Sequence, residues 1–245
     1  MQGEVNIFYN YKGAFVINLK DDQVRRQEFF EKWNNNWKFK FIEAVDSRGD
    51  LWHKFAYENK ISIDATKELL ELNKTKKRKS HEALLEGAVG CYLSHIKCWE
   101  ACLNNKDGDY CLILEDDSTI PKDIFSKIDQ IVNESRIKWG MINLGWASVT
   151  PPKYFNTNLV VVDRFILTHA YLLSNHGAET LLRLHNKIEN QVDAFMSDNS
   201  SEIKILGLKK CICFQESKVQ THIQTLSAED VKYKNQNDYI INYHL

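Results

Sequence analysis

The chain has 245 residues, a formal net charge of −1 and 43% hydrophobic residues. That length and apolar content fit one large α/β domain with a sizeable core, and the near-neutral charge excludes a general nucleic-acid binder. Only 3 Pro and 10 Gly leave little for a long flexible linker, and no apolar run reaches the roughly 18 residues of a membrane span.

Residues 1–12 are polar and lack the apolar region of a secretory signal. Residues 14–19 form an apolar run that predicts the first strand. Asp21 or Asp22 can cap a helix that follows to residue 33 and carries Arg25 and Arg26. Residues 39–45 predict a second strand that ends at Asp46, so the chain opens on a strand–helix–strand unit. Residues 64–72 are amphipathic. The basic run 74–79 reads as a solvated loop, with contact to phosphate or an anionic membrane surface as the functional alternative.

Residues 86–103 predict a long helix, and 105–109 a turn. Then comes the most informative stretch. Cys111, Leu112, Ile113 and Leu114 form the continuous apolar run of a strand buried on both faces, and it ends in Glu115, Asp116 and Asp117. Ligands of open α/β sheets bind at the C-terminal ends of strands. Strand alternation would send Glu115 and Asp117 to one face and Asp116 to the other. Three adjacent acids with hard oxygen ligands suit Mn2+ or Mg2+; the competing reading is a solvated acidic turn.

Further along, residues 122–134 predict a helix and 139–144 a strand. Residues 160–162 and 166–173 predict strands, and 177–185 a helix capped by Ser174 or Asn175. Residues 203–214 predict a strand pair or one bent strand. The 6 Cys include no C-x-x-C pair, which argues against a structural zinc site and for buried, reduced thiols in a cytoplasmic compartment. Cys91, Cys98 and Cys102 recur at helical spacing. No phosphate-binding G-x-x-x-x-G-K-[ST] loop or G-x-G-x-x-G is present.

Five segments, in order, resemble glycosyltransferase family 25. They are Val16-Ile17-Asn18-Leu19 followed by Arg25 and Arg26; Ala44-Val45-Asp46; Gly90-Cys91-Tyr92-Leu93-Ser94-His95-Ile96 with Trp99 and Glu100; Leu112 to Asp117; and Thr168-His169-Ala170-Tyr171-Leu172-Leu173-Ser174 with Gly177 and Ala178. The resemblance covers residues 14 to about 200. It implies a single-domain, GT-A-type Rossmann-like fold with a mostly parallel central sheet. It also implies a D-x-D-type metal site, a UDP-sugar donor (most often UDP-galactose), and inversion at the anomeric carbon. This motif reads Glu-Asp-Asp, not a literal D-x-D, and the chain leaves little room for a second transferase domain.

On that resemblance, residues 1–13 are an N-terminal extension, 14–225 the transferase domain (donor half 14–120, acceptor half 121–225) and 226–245 a surface tail. Asp117 and Glu115 are the expected metal ligands, with His222 a third by position only. Asp116 would contact the ribose or donor sugar. Asn18, Leu19, Arg25 and Arg26 fall near the end of the first strand, where the diphosphate is expected, and an arginine there can grip it bidentately. Asp46 would accept from ribose hydroxyls, and Ser94 and His95 would lie beside the donor. Inversion needs a general base for the acceptor hydroxyl, and Asp193 is the preferred one, with Asp198 and Glu189 as rivals. Trp146, His169 and Tyr171 are expected around the sugar or acceptor. The expected partners are a UDP-sugar and a glycan or glycoconjugate: a lipooligosaccharide-type glycan or a collagen-like hydroxylysine. Peripheral membrane association stays open, as does a non-catalytic carbohydrate-binding role.

Overall fold

The computed structural model describes residues 11–33, 39–77 and 83–216. In chain order the elements begin with β1 (Tyr11–Asn18), α1 (Gln23–Trp33) and β2 (Phe39–Glu43), followed by a 3-10 turn at Gly49–Leu51. Next come α2 (Trp52–Tyr57), α3 (Ile63–Thr75), α4 (Glu86–Asn104), β3 (Tyr110–Glu115), β4 (Ser118–Thr119) and α5 (Ile124–Ser135). The second half holds β5 (Met141–Ser148), β6 (Lys153–Tyr154), β7 (Leu159–Val161), β8 (Phe165–Ser174), α6 (Asn175–Leu184), α7 (Val192–Asp198), α8 (Ser200–Ile203), β9 (Ile205–Leu208) and β10 (Phe214–Gln215).

Eight strands form one sheet in the order β2-β1-β3-β8-β5-β9-β7-β6. The expectation of a mostly parallel sheet needs correction. The β1–β2, β1–β3 and β5–β9 pairs are parallel, but β8 runs antiparallel to both β3 and β5, and β7 is antiparallel to β6 and β9. A buried apolar run looks the same in either direction, so the sequence pattern could not separate the two. The β3–β8 pairing also joins the expected donor and acceptor halves through a single sheet.

Alternation along the strands builds two cores. Phe15, Ile17, Cys111, Ile113, Tyr171 and Leu173 pack with α4 on one face; Ala14, Val16, Leu112, Leu114 and Leu172 pack with Phe29 of α1 and Ile124, Ile128 and Ile131 of α5 on the other. Helices therefore cover both faces, and β3 is apolar on both sides from Tyr110 to Leu114 because it lies at the centre.

Local chemistry sets several helix starts. The Asp22 carboxylate accepts from the Arg25 N–H at 3.1 Å, Ser62 caps α3 and Ser174 caps α6. Gly90 lets α4 dock on the end of β2: a Cβ there would collide with the Val45 carbonyl and the Ser47 hydroxyl. Cys102 of α4 and Cys111 of β3 form a disulfide, which corrects the expectation that all six thiols are free. Among the described residues no helix is long and apolar enough to cross a membrane.

Candidate active site

The parallel β2-β1-β3 block ends in a cluster of polar side chains buried beneath α1 and α4. β3 stops at Glu115, and Asp116 and Asp117 form a turn leading into β4. That turn corrects the expected alternation, since strand periodicity holds only while the strand lasts. Asp116 and Asp117 share one partner, Arg25 of α1, at 3.2 and 3.4 Å, while Glu115 faces α4. The Asp116 and Asp117 side chains are only 9% and 8% exposed, so this is no solvated acidic turn.

Asn18, the last residue of β1, donates from Nδ2 to Asp116 at 2.8 Å and to the Asp22 carbonyl at 3.2 Å. Burial raises the Asp116 carboxyl above its ordinary value, with Arg25 and Asn18 opposing. Asp117 accepts from Gln215 of β10 at 2.9 Å, and its backbone carbonyl accepts from the Glu216 N–H. Its other oxygen, Oδ1, is buried without a hydrogen-bond partner among the described residues. Burial first, then the charge of Glu115, pushes the Asp117 carboxyl up to about 7.

Glu115 occupies a different environment. Its Oε1 accepts from the Thr168 hydroxyl at 3.0 Å and lies 3.5 Å from His95 Nε2. Burial pushes this carboxyl up, but His95 and Thr168 outweigh it and hold the group below its ordinary value. His95 Nδ1 lies 2.9 Å from the Tyr171 hydroxyl, and that hydroxyl accepts from Trp99 Nε1–H at 3.1 Å. Ser94 points elsewhere: its hydroxyl accepts from the Val45 N–H and donates to the Gly90 carbonyl.

Asp193 begins α7. Its carboxylate accepts from the N–H groups of Leu167 and Ala194, and burial raises it above its ordinary value. The β8 residue Leu167 has φ 78°, a left-handed conformation uncommon for a branched side chain. It stands between the N–H bonded to Asp193 and the neighbouring Thr168 bonded to Glu115.

The structure thus gathers Asn18, Arg25, Asp116 and Asp117 on one side and His95, Glu115 and Tyr171 on the other. Leu19 lies beside them as a half-buried residue whose carbonyl accepts from the Asp22 N–H. Other expected residues stand apart. Arg26 is exposed, with its guanidinium over the Phe41 ring. Asp46 is bonded to Arg48, and Trp146 is core, donating to the Leu208 carbonyl. Tyr171 and His169 are buried rather than lining an open pocket, and the His169 ring abuts Gly145. Asp198 is exposed. His222 and residues 226–245 lie outside the described residues, as do Arg78 and Lys79 of the basic run, whose Lys74, Lys76 and Lys77 are exposed. Sequence reasoning gave no role to Thr168, Gln215 or Cys91. Only Cys91 had a readable signal, its four-residue spacing from His95 on a helix.

The sequence matches the family described as glycosyltransferase family 25 (LPS biosynthesis protein) over residues 12–196. It is 27% identical over 177 residues to the Homo sapiens inactive glycosyltransferase 25 family member 3, covering 69% of this chain and 28% of that protein. Identity to Homo sapiens procollagen galactosyltransferase 2 is 25% over 177 residues, covering 69% of this chain and 27% of that one. A Haemophilus influenzae protein named as a glycosyltransferase is 25% identical over 213 residues, 82% of this chain and 70% of its own. The chain thus spans little more than a quarter of the two human relatives.

Proposed function

The chain belongs to glycosyltransferase family 25, and from that premise we propose that it is a metal-dependent, inverting transferase with a GT-A-type donor half. The proposed reaction moves a sugar, galactose as first choice, from a UDP-sugar to a hydroxyl of a glycan or glycoconjugate. The observation that carries this reading is the trio of acids at the end of the central strand, two of them buried around Arg25.

A divalent cation fits this donor set. The ligand atoms are hard carboxylate oxygens, and Asp117 Oδ1 is a buried acceptor that nothing satisfies among the described residues. Asp117 would hold the ion, with Glu115 beside it. When bound, such an ion neutralises the charge that grows on the leaving diphosphate. Arg25 lies against the same acids and can add a second positive charge at the diphosphate. Asn18 and Arg25 orient Asp116 toward the donor sugar or ribose. Asp193 is the proposed base: burial raises its proton affinity, which suits removal of the acceptor hydroxyl proton. Two backbone N–H groups fix its carboxylate.

The test is release of UDP from UDP-galactose with Mn2+. Slow release is expected in the wild type, and Asp117→Ala should lower it by about a hundredfold or more while the far-ultraviolet circular dichroism is retained. Normal turnover in that variant would sink the assignment. A second reading, a non-catalytic carbohydrate-binding protein of this family, draws support from the relative named inactive. It predicts inertness to every UDP-sugar together with glycan binding. The relative named procollagen galactosyltransferase places a collagen-like hydroxylysine beside bacterial-type glycans among the acceptors to be tried.

A further inference from the structure

We propose that Cys91, His95 and Glu115 form a second metal site, softer than the acid cluster, that takes Zn2+ and draws Glu115 away from the donor-side acids. Cys91 and His95 stand four residues apart on α4, so they share one helix face. Glu115 closes the triangle from the end of β3. One ligand atom from each, a sulfur, a ring nitrogen and a carboxylate oxygen, all lie within 4.8 Å of one another.

A second observation concerns the imidazole. His95 Nε2 is buried without a hydrogen-bond partner, and its distance to Glu115 Oε1 is 3.5 Å, too long for a good hydrogen bond. Zinc bonds of about 2.0–2.2 Å to nitrogen and oxygen, at a tetrahedral angle, separate those two atoms by about 3.3–3.5 Å. The gap therefore matches one edge of a zinc coordination sphere. Ligating histidines are usually oriented by a hydrogen bond at the other ring nitrogen. Here Tyr171 Oη, itself anchored by Trp99, lies 2.9 Å from Nδ1. A proton on Nδ1 leaves the Nε2 lone pair facing the site.

The charges also balance. Binding breaks the Cys91 S–H bond and releases its proton to solvent, and the thiolate with the Glu115 carboxylate neutralises a divalent ion. Thiolate and imidazole select Zn2+ or Co2+ over Mn2+ and Mg2+, which prefer all-oxygen sites. Cys91 and Glu115 are both partly exposed, so an ion can reach them. Three protein ligands leave a fourth position for water. The binding claim stands on these residues alone; the antagonism between Zn2+ and Mn2+ rests on the donor-cation reading above.

Co2+ titrated into the full chain tests the site by absorption. A sulfur-to-cobalt charge-transfer band should grow to one equivalent and disappear on adding Zn2+. Cys91→Ser should remove the band and weaken Co2+ binding by about tenfold or more, while Cys98→Ala, a buried thiol of the same helix, keeps it. Glu115→Gln, which preserves shape, should also weaken Co2+ binding about tenfold with the band retained at saturation. No band in the wild type, a band that survives in Cys91→Ser, or unchanged Co2+ affinity in Glu115→Gln would overturn the site. In the activity assay Zn2+ should suppress Mn2+-supported UDP release in the wild type but not in Cys91→Ser. A protein that gives the cobalt band but releases no UDP under any ion supports this site and counts against the donor-cation reading.

Discussion

Three consecutive acids meet two different environments. Asp116 and Asp117 turn beneath α1, where Arg25 is their common cation and Asn18 and Gln215 supply neutral donors. Glu115 faces α4 and β8, where His95 and the Thr168 hydroxyl hold it ionised. The two sides resolve like-charge crowding differently: Glu115 keeps its charge, and Asp117 gives way, with its pKa raised to about 7. A site built this way has one fixed anion and one carboxylate poised to take charge when a cation arrives.

The largest expected effect falls on the Arg25 side. Arg25→Met leaves two buried carboxylates without their cation, and urea titration should show a loss of about 3 kcal/mol or more. If Glu115→Gln costs as much, the distinction between the two sides fails. Next is Tyr171→Phe on the α4 side. It strands the Trp99 N–H in the core, and the same titration should show a loss of about 1–3 kcal/mol. Gln215→Ala should cost less, about 1 kcal/mol, because Asp117 can answer by protonating; an unchanged midpoint would mean that β10 does not clasp the acid.

A further test is a matter of sign. The Asp117 pKa is raised on folding, by burial first and then by Glu115. The protonated form is therefore the one the fold favours. Its stabilising contribution is complete below the unfolded pKa of about 3.9 and is lost as pH rises through about 7. Asp117→Asn should raise the metal-free melting temperature at pH 8 and leave it nearly unchanged near pH 3.5. A uniform shift at both pH values would assign the effect to packing instead of charge.

Much of the fold was legible because the strands are short apolar runs and the helix caps are chemical. Asp22 and Ser174 act at the helix starts as their side chains suggest. The direction of β8 was not legible, since Leu172 fills the slot between Leu112 and Ile142 whichever way its strand runs. At the site, Asn18 and the three acids were readable because each sits at or just beyond the end of a strand of the parallel block, and Arg25 because it lies in the first turn of the helix that follows β1. Arg26 and Arg25 are adjacent in sequence, and only helix geometry sends one to the acids and the other to Phe41. Gln215 meets Asp117 across 98 residues, and no local pattern encodes a contact of that kind.

Leu167 constrains which side chains its own position accepts. Its left-handed backbone admits glycine without steric penalty and asparagine at low cost, but rejects valine, isoleucine and proline. The residue also sets the spacing between the bond to Asp193 and the bond to Glu115. Substitution there touches both bonds at once. A replacement that shifted this backbone would move both contacts together, so Leu167 couples the position of the proposed base to that of the acid cluster.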